Sequence, residues 1–299
     1  MSYLNQIANL SDVTFEKDAD LTKYSTMKLV AKGDLVTVTS VDSLIEIQKI
    51  FKENKISPRI IGMGANQLLP VQSDAPYLIL KFPFEKESCD ELRDEYVFPA
   101  SVRLSTLTSM ASKFGLLGWE SFTGVPASLG GAIVMNAGTN LGEIGPLVTS
   151  VKYVNSDGEI CEHTPTSESF SYRHCNFLKK GDIIIQVTMK HFGVDAQLRE
   201  KIKNYLDLRN RTQPMSEKTC GCIFKNSKGL VTCRAGMFID IMGLKGLTYK
   251  GVRVSNKHAN FMENFGGSNY DDVVKLIEIV KSELKLQYGV DFETEVKID

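Results

Sequence analysis

The chain has 299 residues, which at about 150 residues per domain suggests two domains or three small ones. Its 42% hydrophobic and 24% charged residues are a globular composition and exclude a mostly disordered chain. Lys plus Arg number 35 against 36 Asp plus Glu, a net charge of −1 that offers no general attraction to nucleic acid or to an anionic membrane.

No apolar run approaches the ~18 residues needed to span a bilayer. Asp12, Glu16, Asp18 and Asp20 occupy the stretch where a signal peptide carries basic and then apolar residues, so a cytoplasmic protein is expected. In that compartment the six cysteines, at 89, 161, 175, 220, 222 and 233, read as free thiols. Cys220 and Cys222 form a C-x-C with no second ligand pair, and no metal is expected.

Along the chain, Leu44, Ile47, Ile50 and Phe51 predict a helix over 42–52, with Ser40 or Asp42 as N-cap. Residues 59–61 and 77–82 read as strands, and the first runs directly into Gly62-Met63-Gly64-Ala65-Asn66-Gln67. Leu104 to Phe114 has helical spacing. Residues 151–154 and 159–163, joined by Asn155-Ser156-Asp157-Gly158, form a hairpin, and 183–189 a strand. A helix follows over 196–209 and is stopped by Gln213-Pro214. The last helix covers 270–287, with Ser268 and Asp271 as capping box, and 292–298 reads as a closing strand.

Gly62 to Gln67 is not a Rossmann fingerprint, because Gln67 stands where a third glycine would be and no βαβ helix follows. Its glycines let backbone N–H groups converge on an anion, with Asn66 adding a side-chain donor. An ordinary turn remains the plain alternative. The stretch Gly124-Val125-Pro126-Ala127-Ser128, Gly130-Gly131 and Asn136-Ala137-Gly138 is richer, since small residues let the backbone press against a ligand and offer donors to a pyrophosphate. Two such segments suit a dinucleotide such as FAD. Taken singly, Arg173 reads as a surface arginine, Cys222 as a small core residue, Glu293 and Glu295 as solvated carboxylates and His258 as a structural histidine.

In order, these segments resemble the UDP-N-acetylenolpyruvoylglucosamine reductase family. Gly62 to Leu68 match a G-x-G-S-N-x-L pattern with Ala65 for serine. Gly124 to Gly138 match G-I-P-x-x-x-G-G-A-x-x-M-N-A-G with Val125 for isoleucine. Further matches are Tyr172-Arg173, Arg209 to Pro214 (R-x-x-x-Q-P), and Gly221 to Asn226 (G-S-x-F-K-N with Cys222 for serine). The series closes with Ala235 to Asp240, Gly243 to Gly246, Val254 to Phe261 and Glu295-Val296. The length fits the shorter of the family's subtypes. An N-terminal T-F-x-x-G-G pattern becomes Thr26-Met27-Lys28-Leu29-Val30-Ala31, without the glycine pair.

The resemblance implies an α+β fold. A two-part FAD-binding region of the vanillyl-alcohol-oxidase type would cover 1–82 and 83–195, and a UDP-sugar domain 196–299. It implies non-covalent FAD, NADPH as co-substrate, and reduction of an enolpyruvyl UDP-N-acetylglucosamine in peptidoglycan synthesis by a monomer. Arg173, Cys222 and Glu295 are then catalytic, with Cys222 as proton donor. Gly62–Gln67, Gly124–Ser128, Gly130, Gly131, Asn136, Ala137 and Gly138 are cofactor contacts, and Tyr172, Lys225 and Asn226 bind substrate. Three other readings remain at this point. They are another FAD-dependent oxidoreductase or oxidase on the same scaffold, a flavin or UDP-sugar binding protein without catalysis, and a Cys220/Cys222 thiol redox protein.

Overall fold

Short apolar runs flanked by turns build two sheets in the first unit of the structure, a computed structural model that describes residues 3–228 and 232–298. This unit comprises the chain up to Lys17, Asp34–Gly62 and Ala75–Asp207; the second comprises Asp18–Gly33, Met63–Asp74 and Leu208 onward. Strands β1 (Val13–Asp20), β2 (Lys32–Val38), β3 (Arg59–Ile60) and β5 (Tyr77–Leu80) lie in the order β1-β2-β5-β3, with β5 parallel to both β2 and β3. Against this sheet packs α2 (Val41–Glu53), whose Leu44, Ile47 and Phe51 are buried with Val36, Val38 and Leu78 and with Ile7 of α1 (Tyr3–Ala8). Of the two expected N-caps, Ser40 is the one used, its hydroxyl accepting the Ser43 N–H at 3.2 Å.

The second sheet has the order β10-β9-β13-β6 and is antiparallel throughout, with β6 at Glu95–Pro99, β9 at Val148–Val154, β10 at Ile160–His163 and β13 at Ile183–Lys190. The expected hairpin is β9–β10. Helices α3 (Leu104–Phe114) and α4 (Leu129–Val134) share its core with Phe98, Trp119 and Phe122, each worth about 1.5–3 kcal/mol of burial. Trp119 satisfies its indole N–H on the Lys190 carbonyl at 2.8 Å. Two short hairpins complete the unit: β7 (Gly138–Thr139) with β8 (Gly142–Glu143), and β11 (Phe170–Ser171) with β12 (His174–Cys175). Helix α5 (Leu198–Thr212) runs three residues past the expected end and stops before Gln213-Pro214.

In the second unit, β16 (Thr248–Tyr249), β17 (Val252–Val254) and β18 (Met262–Asn264) form an antiparallel sheet. Helices α6 (Ala235–Ile241) and α7 (Tyr270–Tyr288) contribute to the same core, together with a short hairpin of β14 (Ser227–Lys228) and β15 (Thr232–Cys233). The capping box of α7 is Asn269 with Asp272, one residue later than expected: each side chain takes the other's backbone N–H at 3.1 Å. Ser268 is instead buried, and the cap falls on the extended residue immediately before Tyr270. The closing segment forms a strand only at β19 (Lys297–Ile298), parallel to β4 (Gln67–Leu68). Residues 18–33 and 63–74 lie far from 208–299 in sequence. They join that core because Met27, Leu29 and Leu68 are buried in it beside Phe224 and Phe292.

Candidate active site

In the first unit the second glycine-rich loop starts at Thr123, which is fully buried, as is nearly all of Ser121. The hydroxyl oxygens of both have no protein partner, an arrangement that costs free energy unless something else bonds them. Gly124 follows at φ 73°, where a side chain would be strained. The loop offers fewer backbone donors than its composition suggests. Leu129 and Gly130 N–H are taken by the carbonyls of Val102 and Ala100, at 2.7 and 2.8 Å, and those of Val125 and Ala127 by Phe122 and Val125. Among the described residues, the N–H groups of Gly124 and Ser128 have no protein acceptor. A Cβ on Gly62 would lie 2.5 Å from the Ser128 hydroxyl, so Gly62 keeps a small gap open there.

Arg173 is the second residue of a two-residue turn between β11 and β12 and has φ 59°. Its Nη2 donates to the Gly138 carbonyl at 3.2 Å, and its guanidinium lies 5.0 Å from the centre of the Tyr172 ring. Gly138 is required: a Cβ there would collide with the Gly142 carbonyl oxygen. Asn136 is buried, and its amide is committed to Glu143, Ser171 and Gly145.

The second unit holds the remaining expected residues. In the loop Met63-Gly64-Ala65-Asn66, none of the four backbone N–H groups donates to a described protein acceptor. Gly64 has φ 59°, and a Cβ on it would strike the Tyr24 carbonyl oxygen. Thr26 ties down this approach: its N–H donates to the Gly64 carbonyl at 3.1 Å and its hydroxyl to the Thr219 carbonyl at 2.7 Å. Just upstream of Val30-Ala31, Asn264 Nδ2 holds the Met27 and Lys28 carbonyls, at 2.9 and 3.2 Å.

Cys222 is half-buried on a segment bridged on both sides. It faces Phe261 across one bridge, and Phe224 faces Thr294 across another. The Glu295 N–H donates to the Ile223 carbonyl at 2.7 Å, and Asn66 Nδ2 donates to the Glu295 carbonyl at 3.1 Å. The unit thus brings Asn66, the Cys222 segment and Glu295 together. Lys225 pairs with the exposed Glu293 at 3.0 Å, and Asn226 Oδ1 accepts the Ala235 N–H at 3.1 Å. His258 keeps the structural role read from sequence: its Nδ1 accepts the Asn260 N–H at 3.2 Å, and burial holds its imidazole below the ordinary range.

Several residues escaped the reading by residue type. Asn260 clamps the Cys222 segment by exchanging hydrogen bonds with the Phe224 N–H and carbonyl, at 3.0 and 2.8 Å. It lies in the Val254–Phe261 pattern, so its position was visible even though its work was not. Ser121 and Thr123 carried no signal beyond their place before Gly124.

Residues 34–164 match the FAD binding domain family, and residues 213–298 match the family of the UDP-N-acetylenolpyruvoylglucosamine reductase C-terminal domain. A UDP-N-acetylenolpyruvoylglucosamine reductase from Chlamydia pneumoniae is 31% identical, over 93% of this chain and 90% of its own. One from Pediococcus pentosaceus is 33% identical, over 93% and 92%. The crystal structure of the Thermus caldophilus reductase covers 95% of this chain and 98% of its own, with 28% identity and a TM-score of 0.78. Unsatisfied loop N–H groups, buried hydroxyls without partners and glycines that keep space open fit a bound dinucleotide, and with these matches they define an FAD-dependent oxidoreductase. More particularly, the chain belongs to the UDP-N-acetylenolpyruvoylglucosamine reductase family.

Proposed function

We propose that this protein is the NADPH-dependent flavoenzyme that reduces the enolpyruvyl ether of UDP-N-acetylglucosamine to UDP-N-acetylmuramate for peptidoglycan precursors. The observation that carries the reading is the tie from Asn66 to Glu295, which sets the loop with unsatisfied N–H groups beside the segment bearing Cys222. FAD would be held non-covalently by residues 62–67, 124–128, 130, 131, 137 and 138, and would supply the hydride chemistry that links NADPH to C3 of the enolpyruvyl group. The proposed subdomain assignment is 1–82 and 83–195 for cofactor and 196–299 for the UDP-sugar, with residues 18–33 and 63–74 of the first packing in the core of the last.

Each protein residue then has a limited task. Arg173 stabilises the negative charge that develops on the substrate carboxylate as hydride arrives. Its fixed cation suits this, since no proton must move for it to act. Glu295, acting in its protonated form, donates a hydrogen bond to the same carboxylate; exclusion of water by the bound ligands favours that neutral form. The Cys222 thiol gives its proton to C2. An unperturbed thiol has a pKa of about 8.5, far below that of the serine hydroxyl found in relatives, so the proton is more readily released. Tyr172, Lys225 and Asn226 bind the UDP-sugar, and the exposed Lys225–Glu293 pair is weak enough for Lys225 to turn to a diphosphate.

Among the described residues no helix is long and apolar enough to cross a membrane. We place the enzyme in the cytoplasm, where NADPH and nucleotide sugars are made, and treat it as a monomer. The test is anaerobic flavin absorbance. NADPH should bleach the oxidised band, and after excess nucleotide is removed the enolpyruvyl UDP-sugar should restore it. A bleached band that oxygen restores quickly and the UDP-sugar does not would instead identify an oxidase. Protein that cannot be loaded with FAD would overturn the assignment.

A further inference from the structure

The sequence pattern makes the M-N-A-G motif around Asn136 a cofactor contact, yet both amide hydrogens of its asparagine are already committed to other protein groups. Asn136 is 1% exposed. Its two amide hydrogens go to Glu143 Oε2 at 2.8 Å and to the Ser171 carbonyl at 3.0 Å, and its Oδ1 accepts the Gly145 N–H at 3.0 Å. Ser171 is the last residue before the Tyr172–Arg173 turn. Within that turn, Arg173 Nη2 donates to the Gly138 carbonyl, and Gly138 pairs with Glu143 across the β7–β8 hairpin. The contacts close a ring: Arg173 to Gly138, Gly138 to Glu143, Glu143 to Asn136, Asn136 to Ser171, and Ser171 back along the chain to Arg173.

Resting on the role given to Arg173 above, we propose that Asn136 and Glu143 are positioning residues that fix the backbone and guanidinium of Arg173, rather than cofactor contacts. Arg173 is held at φ 59° and Asn136 at φ 40°, both in a region that non-glycine residues rarely adopt and that persists where the surroundings over-determine it. Asparagine tolerates that conformation better than most residues. Glu143 enters the ring twice, through its backbone to the acceptor of Arg173 and through its carboxylate to the donor that holds Ser171. A guanidinium that must meet charge developing on a carboxylate loses its effect with a displacement of about 1 Å, so fixing it is a functional requirement.

The experiment uses FAD-loaded full-length protein and measures the two half-reactions separately. N136D keeps shape and left-handed tolerance but removes the donor to Ser171, while E143A removes the acceptor for Asn136. Each should leave reduction by NADPH within about twofold of wild type and slow reoxidation by the enolpyruvyl UDP-sugar about tenfold or more. E143Q retains a carbonyl acceptor and should recover most of the rate lost in E143A. In an R173A background neither change should slow reoxidation further, because both act through the residue already removed. Equal loss in both half-reactions, or full additivity with R173A, would overturn the proposal. If R173A itself leaves reoxidation intact, the role of Arg173 falls and this proposal with it. If R173A slows reoxidation and N136D and E143A do not, the positioning role alone falls.

Discussion

The side-chain amide of Asn66 donates to the backbone carbonyl of Glu295 at 3.1 Å, joining two residues 229 positions apart in the chain. The Lys297 N–H answers by donating to the Asn66 carbonyl at 3.0 Å. One asparagine thereby sets the glycine loop against the segment carrying the carboxylate. Asn66→Ala removes one of these bonds and leaves the Glu295 carbonyl without that donor, so it should cost about 1 kcal/mol of stability. It should also reduce the FAD retained per protein. Unfolding of the apoprotein and the ratio of flavin to protein absorbance check both; unchanged retention would show that the loop does not need this tie.

Two left-handed glycines should respond very differently to alanine. Gly64 has φ 59° and its added Cβ would strike the Tyr24 carbonyl, whereas Gly243 has φ 70° and nothing within 4 Å of its added Cβ. Gly243→Ala should cost about 1 kcal/mol for backbone conformation alone. Gly64→Ala adds a backbone collision, for a total of about 2–4 kcal/mol, and should lower flavin content as well. Similar losses for the two, read from denaturant midpoints, would contradict the close approach at Gly64.

The proton-donor role separates two substitutions at position 222. Cys222→Ala should leave flavin reduction by NADPH intact and slow reoxidation by the UDP-sugar about 10²- to 10⁴-fold. Cys222→Ser, which puts the serine of the G-S-x-F-K-N pattern at this position, should keep most of the reoxidation rate. Rapid-mixing absorbance resolves the two steps. Loss of both in the alanine variant would mean that Cys222 shapes the site instead of donating to C2.

Thiol labelling should distinguish the two residues of the C-x-C. Burial pushes the Cys220 thiol up to about 12, so at pH 8 it should stay unlabelled in the folded protein and react once the protein is denatured. Cys222, half-buried, should react in the native state and be protected by saturating UDP-sugar product. Peptide mapping by mass spectrometry assigns the sites. Native labelling of Cys220 at the rate of Cys222 would contradict the packing around it.

Stability should fall as the pH drops below about 6.5, the ordinary histidine value. Burial chiefly lowers the His258 pKa, with Lys245 and Arg209 lowering it further and Asp240 opposing them. The unfolded chain then binds a proton that the folded chain resists, so the stabilisation is complete above the unfolded value and is lost as pH falls through it toward the lower folded value. His163, lowered by burial, acts in the same direction. His258→Asn, which keeps an acceptor for the Asn260 N–H, should therefore flatten part of the pH slope between 8 and 5.5 in denaturant titrations. An unaltered slope would remove His258 from the account.

Local pattern made much of this legible. Helical spacing marked α2 and α3, Asn155-to-Gly158 marked the β9–β10 hairpin, and the ordered motifs marked the family and its candidate residues. These features depend on neighbours within a few positions, where residue type and period carry the physics. The α7 cap was misplaced by one residue, because Asn269 and Ser268 are both good caps and backbone geometry chose between them. The donor row expected from Gly130 was spent on Ala100, and the amide of Asn136 on Glu143 and Ser171, which composition cannot show. By itself the sequence determined most of the helices and strands, the family and the candidate side chains. Only the tertiary structure decided which polar groups remain available and which are consumed in holding others, because hydrogen bonds between residues 35 or 229 positions apart are fixed by packing and not by local propensity.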